Sequence, residues 1–319
     1  MIKCNTSEKK SQVVILQDTS ASGRVRPWAI YKIANTYLAM AYGEVNEKRA
    51  ERMRNCASEL HYHKIGNKMR LVHADFCRVR LCPICQWRRS LKNYAHMNKI
   101  VNAIGDKCRY VFLTLTVKSV SGEDLAEEMT HIIKAFKAFI EYKDCEAAFK
   151  GWYRGLEVTH NVTTDEYHPH LHVLLAVNPS YFSSKNYLSQ KRITELWQRA
   201  LKAKYTPIVD IRKSYGNDLK SIAEVAKYAC KPGDIINYDD WDLTVETVRI
   251  LDAAFEGRRL IAFGGLLKEW HKKLNLDDAD EGDLLDIGEA QDEIEANDED
   301  GEDLTFVWHT GYNQYIRNI

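Results

Sequence analysis

Residues 168–177, HPHLHVLLAV, place two histidines at the start of a very apolar segment. The run 173–177 consists of aliphatic residues and predicts a buried strand. Residues two apart in a strand project from the same face, with Cα atoms about 6.6 Å apart. His170 and His172 can therefore bind one metal ion while Leu171 packs on the opposite face. Two surface histidines on a strand would give the same spacing.

The preceding segment supplies a carboxylate. Residues 152–160, WYRGLEVTH, predict a strand that a polar turn, NVTTDEYHP, joins to the histidine segment as an antiparallel hairpin with a long loop. Glu157 lies among apolar neighbours, and we expect it to be the third metal ligand. Two imidazoles and one carboxylate leave coordination positions open for a phosphate oxygen. The alternative is a strand-edge charge facing water; a rival pair, His61 and His63, lacks both an apolar run and a carboxylate strand.

The pattern around the hairpin predicts an α+β domain. Residues 110–117, YVFLTLTV, predict a strand. Apolar residues at helical spacing over 125–140 predict a helix, which follows the capping-box-like sequence at 121–124. Further candidates are a helix at 190–203, a strand at 207–212 and a helix at about 218–230 that Pro232-Gly233 ends. The order β-α-β-β-α-β-α indicates a mostly antiparallel sheet.

Residues 221–231, SIAEVAKYACK, place Glu224 and Tyr228 four positions apart, hence about 6 Å apart at Cβ on a helix. A tyrosine hydroxyl, with a pKa of about 10, attacks a phosphate only if that phosphate is polarised and held in line. The product is a phosphotyrosine ester that preserves the phosphodiester for later rejoining. Glu224 can act as a general base on water in a second cut. The alternatives are that Glu224 caps the helix with Ser221 and that Tyr228 is a core aromatic residue.

Three of the eight cysteines lie within nine residues, at Cys77, Cys82 and Cys85. Their clustering favours a metal site over disulfides in a protein that we expect to be cytoplasmic. Zinc requires four ligands, and Cys56 is the first candidate for the fourth, followed by His73 and then by His61 or His63. No partner at catalytic spacing suggests redox or nucleophilic chemistry, so the predicted zinc is structural. The alternative is a set of reduced, buried cysteines.

The net charge of zero over 319 residues conceals a basic body and an acidic segment. Residues 277–303 contain 15 acidic side chains and no lysine or arginine, whereas residues 1–276 carry a net charge of +14. A basic body fits a polyanionic partner such as nucleic acid, although an ordinary solvated surface can also be basic. The acidic segment predicts a disordered or loosely ordered tail. Beside the cysteines, Arg88, Arg89 and Lys92 form a plausible DNA-facing surface.

No apolar run reaches the roughly 18 residues of a membrane span, and the N-terminus lacks the apolar core of a secretory signal. The expected location is therefore the cytoplasm. We predict an unassigned segment at 1–50, a zinc-binding cysteine cluster with a basic helix at 51–100 and a catalytic domain at 101–275. An acidic segment at 276–303 and a C-terminal segment at 304–319 follow.

Together these motifs resemble those of the HUH endonucleases. FLTLT at 112–116, HPHLHVLL at 168–175 and EVAKYACK at 224–231 look like the three ordered motifs of that superfamily. With FCRVRLCPICQWRR at 76–89, the chain is similar to plasmid rolling-circle replication initiator (Rep) proteins of Gram-positive bacteria. The similar subgroup has a single tyrosine and a glutamate partner, and the similarity covers roughly residues 50–275.

The resemblance implies an HUH endonuclease fold, with an antiparallel sheet of about five strands flanked by helices. It implies a Mg²⁺ or Mn²⁺ cofactor and nicking at a plasmid double-strand origin. By position, His170 and His172 would bind the metal on a central strand, Tyr228 would be the nucleophile on a neighbouring helix, and Glu224 would act in termination. The resemblance does not decide whether Glu157 is a ligand.

The resemblance also implies that Lys227 and Lys231 steady phosphates. The implied partners are origin DNA, single-stranded DNA, a host UvrD-type helicase, single-strand binding protein and a DNA polymerase. A relaxase or single-tyrosine transposase is an alternative, against which the zinc cluster and the Glu-Tyr spacing argue. A non-enzymatic zinc-binding regulator is another, but it leaves HPHLH and EVAKY as coincidences.

Overall fold

The structure, a computed structural model, describes residues 13–20, 23–214, 219–226, 229–278, 280–288 and 301–318. Its strands, in chain order, are β1 (Glu59–Ile65), β2 (Lys68–Ala74), β3 (Arg109–Thr116), β4 (Phe149–Asn161), β5 (Glu166–Val177), β6 (Val209–Ser214), β7 (Ile261–Gly264), β8 (Glu302–His309) and β9 (Gln314–Arg317). Its helices are α1 (Trp28–Val45), α2 (Glu47–Asn55), α3 (Pro83–Ile104), α4 (Leu125–Ile140), α5 (Lys143–Ala148), α6 (Gln190–Leu201), α7 (Leu219–Val225), α8 (Trp241–Phe255) and α9 (Gly265–Lys273). Among these described helices, none combines the length and the apolar character that crossing a bilayer requires.

A five-stranded antiparallel sheet in the order β6-β3-β5-β4-β7 forms the centre of the molecule. The strand with both histidines, β5, is its middle strand, as the resemblance implied. The predicted α+β class and antiparallel sheet are therefore confirmed. The edge strand β7 is an addition, since the sequence pattern had not indicated a strand there.

Side chains of β5 alternate between two hydrophobic cores, as the period of a strand requires. Leu171, Val173 and Leu175 belong to a core that α4, α6 and α8 cover. Leu174 and Ala176 face the opposite core, to which α3, α7 and α9 contribute. His170 and His172 are separated from Leu174 by an even number of positions, so they face the same side of the sheet, which α3 and α7 cover.

Local signals set the element boundaries. The helix predicted at 125–140 is α4, and the backbone N–H of Asp124 donates to Ser121 Oγ at 3.4 Å just before it. The helix predicted at about 218–230 is shorter, because α7 ends at Val225 among the described residues. Beyond it the carbonyl of Ala229 accepts from the Val158 N–H at 2.8 Å, so the backbone there bonds to β4 and not to a helix.

A second antiparallel sheet, in the order β2-β1-β8-β9, brings the C-terminal segment against the hairpin formed by 59–74. In register, Leu60 lies opposite Phe306, and Tyr315 packs edge-on against Trp308. The segments 51–100 and 304–319, which the sequence analysis separated, are therefore joined in one sheet.

The acidic segment departs from the expected loose tail where the structure describes it. Leu284 and Ile287 are 0% and 2% exposed, and Glu302 and Asp303 pair with β1 in the small sheet. Burial of two apolar side chains explains the ordering, since together they contribute about 3–6 kcal/mol. Residues 279 and 289–300 lie outside the described part of the chain.

Candidate active site

Glu157, His170 and His172 meet on the α3 and α7 side of the central sheet. Glu157 lies directly opposite His170 in the β4-β5 register, and both share a face with His172. His172 Nε2 lies 3.1 Å from Glu157 Oε2, and His170 Nε2 lies 3.6 Å from the same oxygen. One ligand atom from each residue lies within 4.8 Å of the others. The structure thus brings together the three ligands that the sequence analysis predicted.

The Nδ1 atom of each imidazole has a hydrogen-bonding partner. His170 Nδ1 lies 3.1 Å from the carbonyl oxygen of His168, to which it can only donate. His172 Nδ1 lies 3.2 Å from Thr114 Oγ1, and the Phe112 ring stacks on this imidazole. Metal-binding histidines commonly donate their other N–H in this way, which leaves Nε2 free to bind. Thr114 was not predicted, although its place in FLTLT and the antiparallel register were the available signals.

The electrostatics of the cluster suit a divalent cation. Burial alone would raise the pKa of Glu157, but hydrogen bonds and charge from His170 and His172 outweigh it and hold that pKa well below its ordinary value. Lys231 Nζ lies 3.4 Å from Glu157 Oε1, and the charge of Glu157 raises the pKa of this lysine. An ionised carboxylate and two imidazole nitrogens form a donor set that fits Mg²⁺ or Mn²⁺ with positions left open.

Helix α7 lies close against β4 because residue 155 is glycine. A Cβ on Gly155 would lie 2.7 Å from the carbonyl oxygen of Val225, nearer than van der Waals contact allows. Glu224 consequently lines the same cavity as Glu157 and His172. Ser221 falls within α7, and its side chain, on which the capping-box alternative depends, lies outside what the structure describes.

Tyr228 and Lys227 lie outside the described residues. The residues on either side are fixed to β4, since Val225 packs on Gly155 and the Ala229 carbonyl accepts from the Val158 N–H. Cys230 follows as a fully buried residue, and Lys231 reaches Glu157.

The four cysteines named in the sequence analysis form a buried cluster. Cys56 Sγ lies 3.6 Å from the sulfur atoms of Cys82 and Cys85, and Cys77 Sγ lies 3.7 Å from that of Cys85. Four thiolates around zinc, at Zn–S distances of about 2.3 Å, would have sulfur atoms about 3.8 Å apart. These distances make Cys56 the fourth member of a group that could hold a metal ion. His73 is instead exposed, with Nε2 3.9 Å from Asp75.

The rival histidine pair has other partners. His61 lies 3.0 Å from Glu59 and 3.2 Å from Thr305, and His63 lies 2.8 Å from Asp303. Neither histidine belongs to a group that could hold a metal ion among the described residues.

Comparison with known proteins identifies the family. Residues 68–316 match the family model for replication protein. The chain belongs to the family of plasmid Rep replication proteins. It is 39% identical to Protein rep of Bacillus amyloliquefaciens, covering 95% of this chain and 97% of the relative. It is 37% identical to Protein rep of Lactiplantibacillus plantarum, covering 95% and 98%, and 35% identical to Protein rep of Streptococcus pneumoniae serotype 2, covering 97% and 98%. No solved structure matches the chain.

Membership of the Rep family gives the chain a role in plasmid replication and makes DNA its partner. Two predicted DNA contacts nevertheless lie in the interior of this Rep protein. Arg88 is 2% exposed, and its Nε and Nη2 donate to the carbonyls of Leu284 and Leu285 at 2.8 and 2.7 Å. Arg89 is 7% exposed, and its Nη2 donates to the Arg78 carbonyl at 3.1 Å. The acidic segment covers this face of α3, which a sequence pattern could not show.

A zinc measurement tests the cysteine cluster of this Rep protein. Freshly purified, reduced protein should contain about one zinc ion per chain. Cys56→Ser should lose most of that zinc and unfold at a lower temperature, because Cys56 connects α2 to the start of α3. His73→Ala, the matched control, should keep the metal. Elemental analysis that finds no zinc in the wild type, or its loss only in His73→Ala, would refute this assignment.

Proposed function

We propose that this Rep protein is an origin-specific, metal-dependent nickase that initiates rolling-circle replication through a 5′-phosphotyrosine intermediate on Tyr228. The observation that carries the proposal is the convergence of Glu157, His170 and His172 beside the helix that precedes Tyr228. A metal site of this kind next to a tyrosine suits phosphoryl transfer, in which positioning and charge stabilisation dominate.

The residues around the site divide the work. Glu157, His170 and His172 would hold Mg²⁺ or Mn²⁺, which would supply polarisation of the scissile phosphate. Thr114 and the His168 carbonyl orient the two imidazoles. Lys231, next to Glu157, is placed to neutralise a neighbouring phosphate, and we assign Lys227 to the same task by its position in the motif.

We assign a structural role to zinc. The cluster joins the C-cap of α2, Cys56, to the N-cap and first turn of α3, Cys82 and Cys85. Buried Lys32 donates from Nζ to the Cys56 carbonyl at 2.6 Å, which fixes the end of α2 beside the cluster. Four protein ligands leave no open position for a substrate, as is usual for structural zinc.

Two different cuts are needed in one round of replication. The first must preserve the phosphodiester, because the strand is later closed, and a tyrosine ester does so. The second must occur while Tyr228 carries the first 5′ end. Glu224 lines the cavity of the metal ligands, where its carboxylate can accept a proton from an attacking water. Hydrolysis releases the strand and leaves no new covalent link on the protein.

Glu224→Gln separates these two steps. It should form the covalent adduct at a first origin at close to the wild-type rate, because Glu224 takes no part in tyrosine attack. Release of unit-length circles should fall by roughly 10²–10⁴-fold, the usual contribution of a general base. The measurement is a two-origin plasmid assay with circles resolved on a gel. Normal termination by Glu224→Gln would show that this carboxylate has no role in the second cut.

The family resemblance also suggests the surroundings of this activity. We propose that the protein works in the cytoplasm on a plasmid double-strand origin and then on single-stranded DNA. A host UvrD-type helicase would unwind the duplex, and single-strand binding protein would bind the displaced strand. A DNA polymerase would extend the 3′-OH that nicking exposes.

A further inference from the structure

One face of α3 carries cationic side chains that are buried in spite of their charge. Arg88, Arg89 and Lys92 follow helical spacing and are 2%, 7% and 3% exposed. Charged side chains are rarely buried unless they are paired. His96 continues the same face, but burial lowers its pKa to about 4, so it is neutral at neutral pH.

The residues that cover this face are residues 277–278 and 280–288, which we call the acidic strap. Lys92 forms an ion pair with Asp277 and donates to the Asp283 carbonyl at 2.5 Å. His96 Nε2 lies 3.4 Å from Asp277. Before the start of α3, the exposed Arg78 donates to the carbonyls of Glu281 and Gly282 in the strap at 3.0 and 2.9 Å. The strap thus gives the carboxylate of Asp277 to Lys92 and backbone carbonyls to Arg78, Arg88 and Lys92.

The strap enters the active-site cavity at Asp280. Its carboxylate lies 3.0 Å from Arg80 Nη1 and 3.8 Å from Arg89 Nε. These three residues line the same cavity as Glu157 and Glu224. An anionic oxygen between two guanidinium groups occupies a position that a phosphate would favour, because arginine pairs readily with phosphate.

Two buried apolar residues, which we call the apolar anchors, hold the C-terminal half of the strap. Leu284 and Ile287 are buried, and Leu284 belongs to the main hydrophobic core. The carboxylates of Asp277 and Asp278, by contrast, are 47% and 45% exposed, and that of Asp280 is 17% exposed beside an Arg80 side chain that is 31% exposed. Each of the ion pairs Arg80–Asp280 and Lys92–Asp277 keeps one partner accessible to water, so a phosphate can exchange with the carboxylate while the apolar anchors keep the strap nearby.

We propose that Arg80, Arg89 and Lys92 mark the path along which the phosphodiester backbone of single-stranded DNA reaches the active site, and that the acidic strap occupies this path through Asp277 and Asp280 until the strand displaces these carboxylates. Arg88 stays bonded to the carbonyls of Leu284 and Leu285, beside the apolar anchors. The proposal rests on the proposed nickase function for its choice of DNA as ligand. The bound strap lowers the apparent affinity for DNA, because only the fraction of the protein with a displaced strap can bind the strand. A DNA strand whose phosphates contact several of these cations at once can displace the strap, whereas a strand that contacts only one of them cannot.

Charge neutralisation within the strap tests the proposal. Asp277→Asn, Asp278→Asn, Asp280→Asn and Asp283→Asn are combined, which retains Leu284 and Ile287. A Tyr228→Phe background separates binding from cleavage. The probe is a single-stranded oligothymidylate of about 12 nucleotides, followed by fluorescence anisotropy. The apparent Kd should fall roughly tenfold or more, since four competing ion pairs are removed.

The salt dependence should change as well. In the wild type, DNA replaces carboxylates that already neutralise the cations, so few counterions are released. In the neutralised variant, the plot of log Kd against log salt should steepen by about 0.7 for each cation freed for phosphate. The matched control neutralises exposed acids outside the strap, Glu51, Glu123, Glu141 and Asp239, with the same change of net charge. Equal tightening by this control would overturn the proposal, because the effect would then be one of net charge alone.

Hydrogen exchange in the presence of the probe gives an independent test without changes in the strap. Adding the oligonucleotide to Tyr228→Phe protein should speed amide exchange at 280–283, while exchange at the buried anchors Leu284 and Ile287 should change little. Slower exchange there would contradict displacement. Failure of the nickase function would instead appear as no nicking and no covalent adduct by the wild-type protein with Mn²⁺, so the two outcomes are distinguishable.

Discussion

Replacing His170 and His172 together with alanine should abolish nicking of supercoiled plasmid that carries the origin, while origin binding stays nearly intact. Both Nε2 atoms point at Glu157, so the double variant removes two of the three ligands. Metal polarisation of a phosphate contributes several kcal/mol to transition-state stabilisation, which corresponds to a rate loss on the order of a thousandfold or more.

The assay follows conversion of supercoiled plasmid to open circles with Mn²⁺, alongside a binding measurement on the same origin fragment. The matched control replaces His61 and His73, the exposed pair across β1 and β2, with alanine. That control should nick normally. Nicking by the His170 and His172 double variant at the wild-type rate in EDTA would show that the cluster binds no catalytic metal.

The second large effect concerns the nucleophile. Tyr228→Phe keeps the aromatic ring and removes only the hydroxyl, so the variant should fold and bind the origin like the wild type. It should form no covalent adduct and should lose most origin nicking, because phenylalanine cannot form the phosphoester. Any residual cleavage should come from water and leave the protein free of DNA.

Tyr238→Phe is the matched control for that variant. Tyr238 is 71% exposed and packs edge-on against Tyr37, away from the metal ligands. It should form the adduct and nick at the wild-type rate. A covalent adduct that persists in Tyr228→Phe and disappears in Tyr238→Phe would move the nucleophile to the other tyrosine.

The grouping of Glu157, His170 and His172 was predictable because its determinants are local. His170 and His172 show the period of a strand, and Glu157 lies on the strand that the hairpin pairs with it. The loop was expected to be long, yet β4 and β5 leave only residues 162–165 between them. The extension depends on pairing of polar residues and on Asp165, whose φ of 52° is uncommon outside glycine. Composition does not reveal this geometry.

The sequence could not decide the fourth member of the cysteine cluster, for a physical reason. Cys56 and His73 are both close in sequence to the other cysteines, and sequence spacing alone cannot place them. The β1-β2 hairpin directs His73 to solvent, while the end of α2 turns Cys56 inward. The small sheet itself depends on strands near residue 310 pairing with strands near residue 60, a separation that no local pattern contains.

The acidic strap shows how net charge can mislead. Its composition predicts a loosely ordered tail, because carboxylates repel one another. The structure instead places Leu284 and Ile287 in the interior, where these apolar side chains outweigh the repulsion. Two apolar residues within an acidic run were the available signal. The buried positions of Arg88 and Arg89 follow from this packing and could not have been predicted from α3 alone.

The central claim is that Tyr228 takes the 5′ phosphate of the nicked strand. The most direct measurement incubates the wild-type protein with Mn²⁺ and a single-stranded oligonucleotide that spans the nick site of its own plasmid origin, followed by protease digestion and peptide mass spectrometry. We expect the peptide that contains Tyr228 to carry a 5′-linked nucleotide phosphate, and no such peptide when EDTA replaces Mn²⁺. A nicked oligonucleotide with no nucleotide attached to the protein, or attachment at a different residue, would contradict the account.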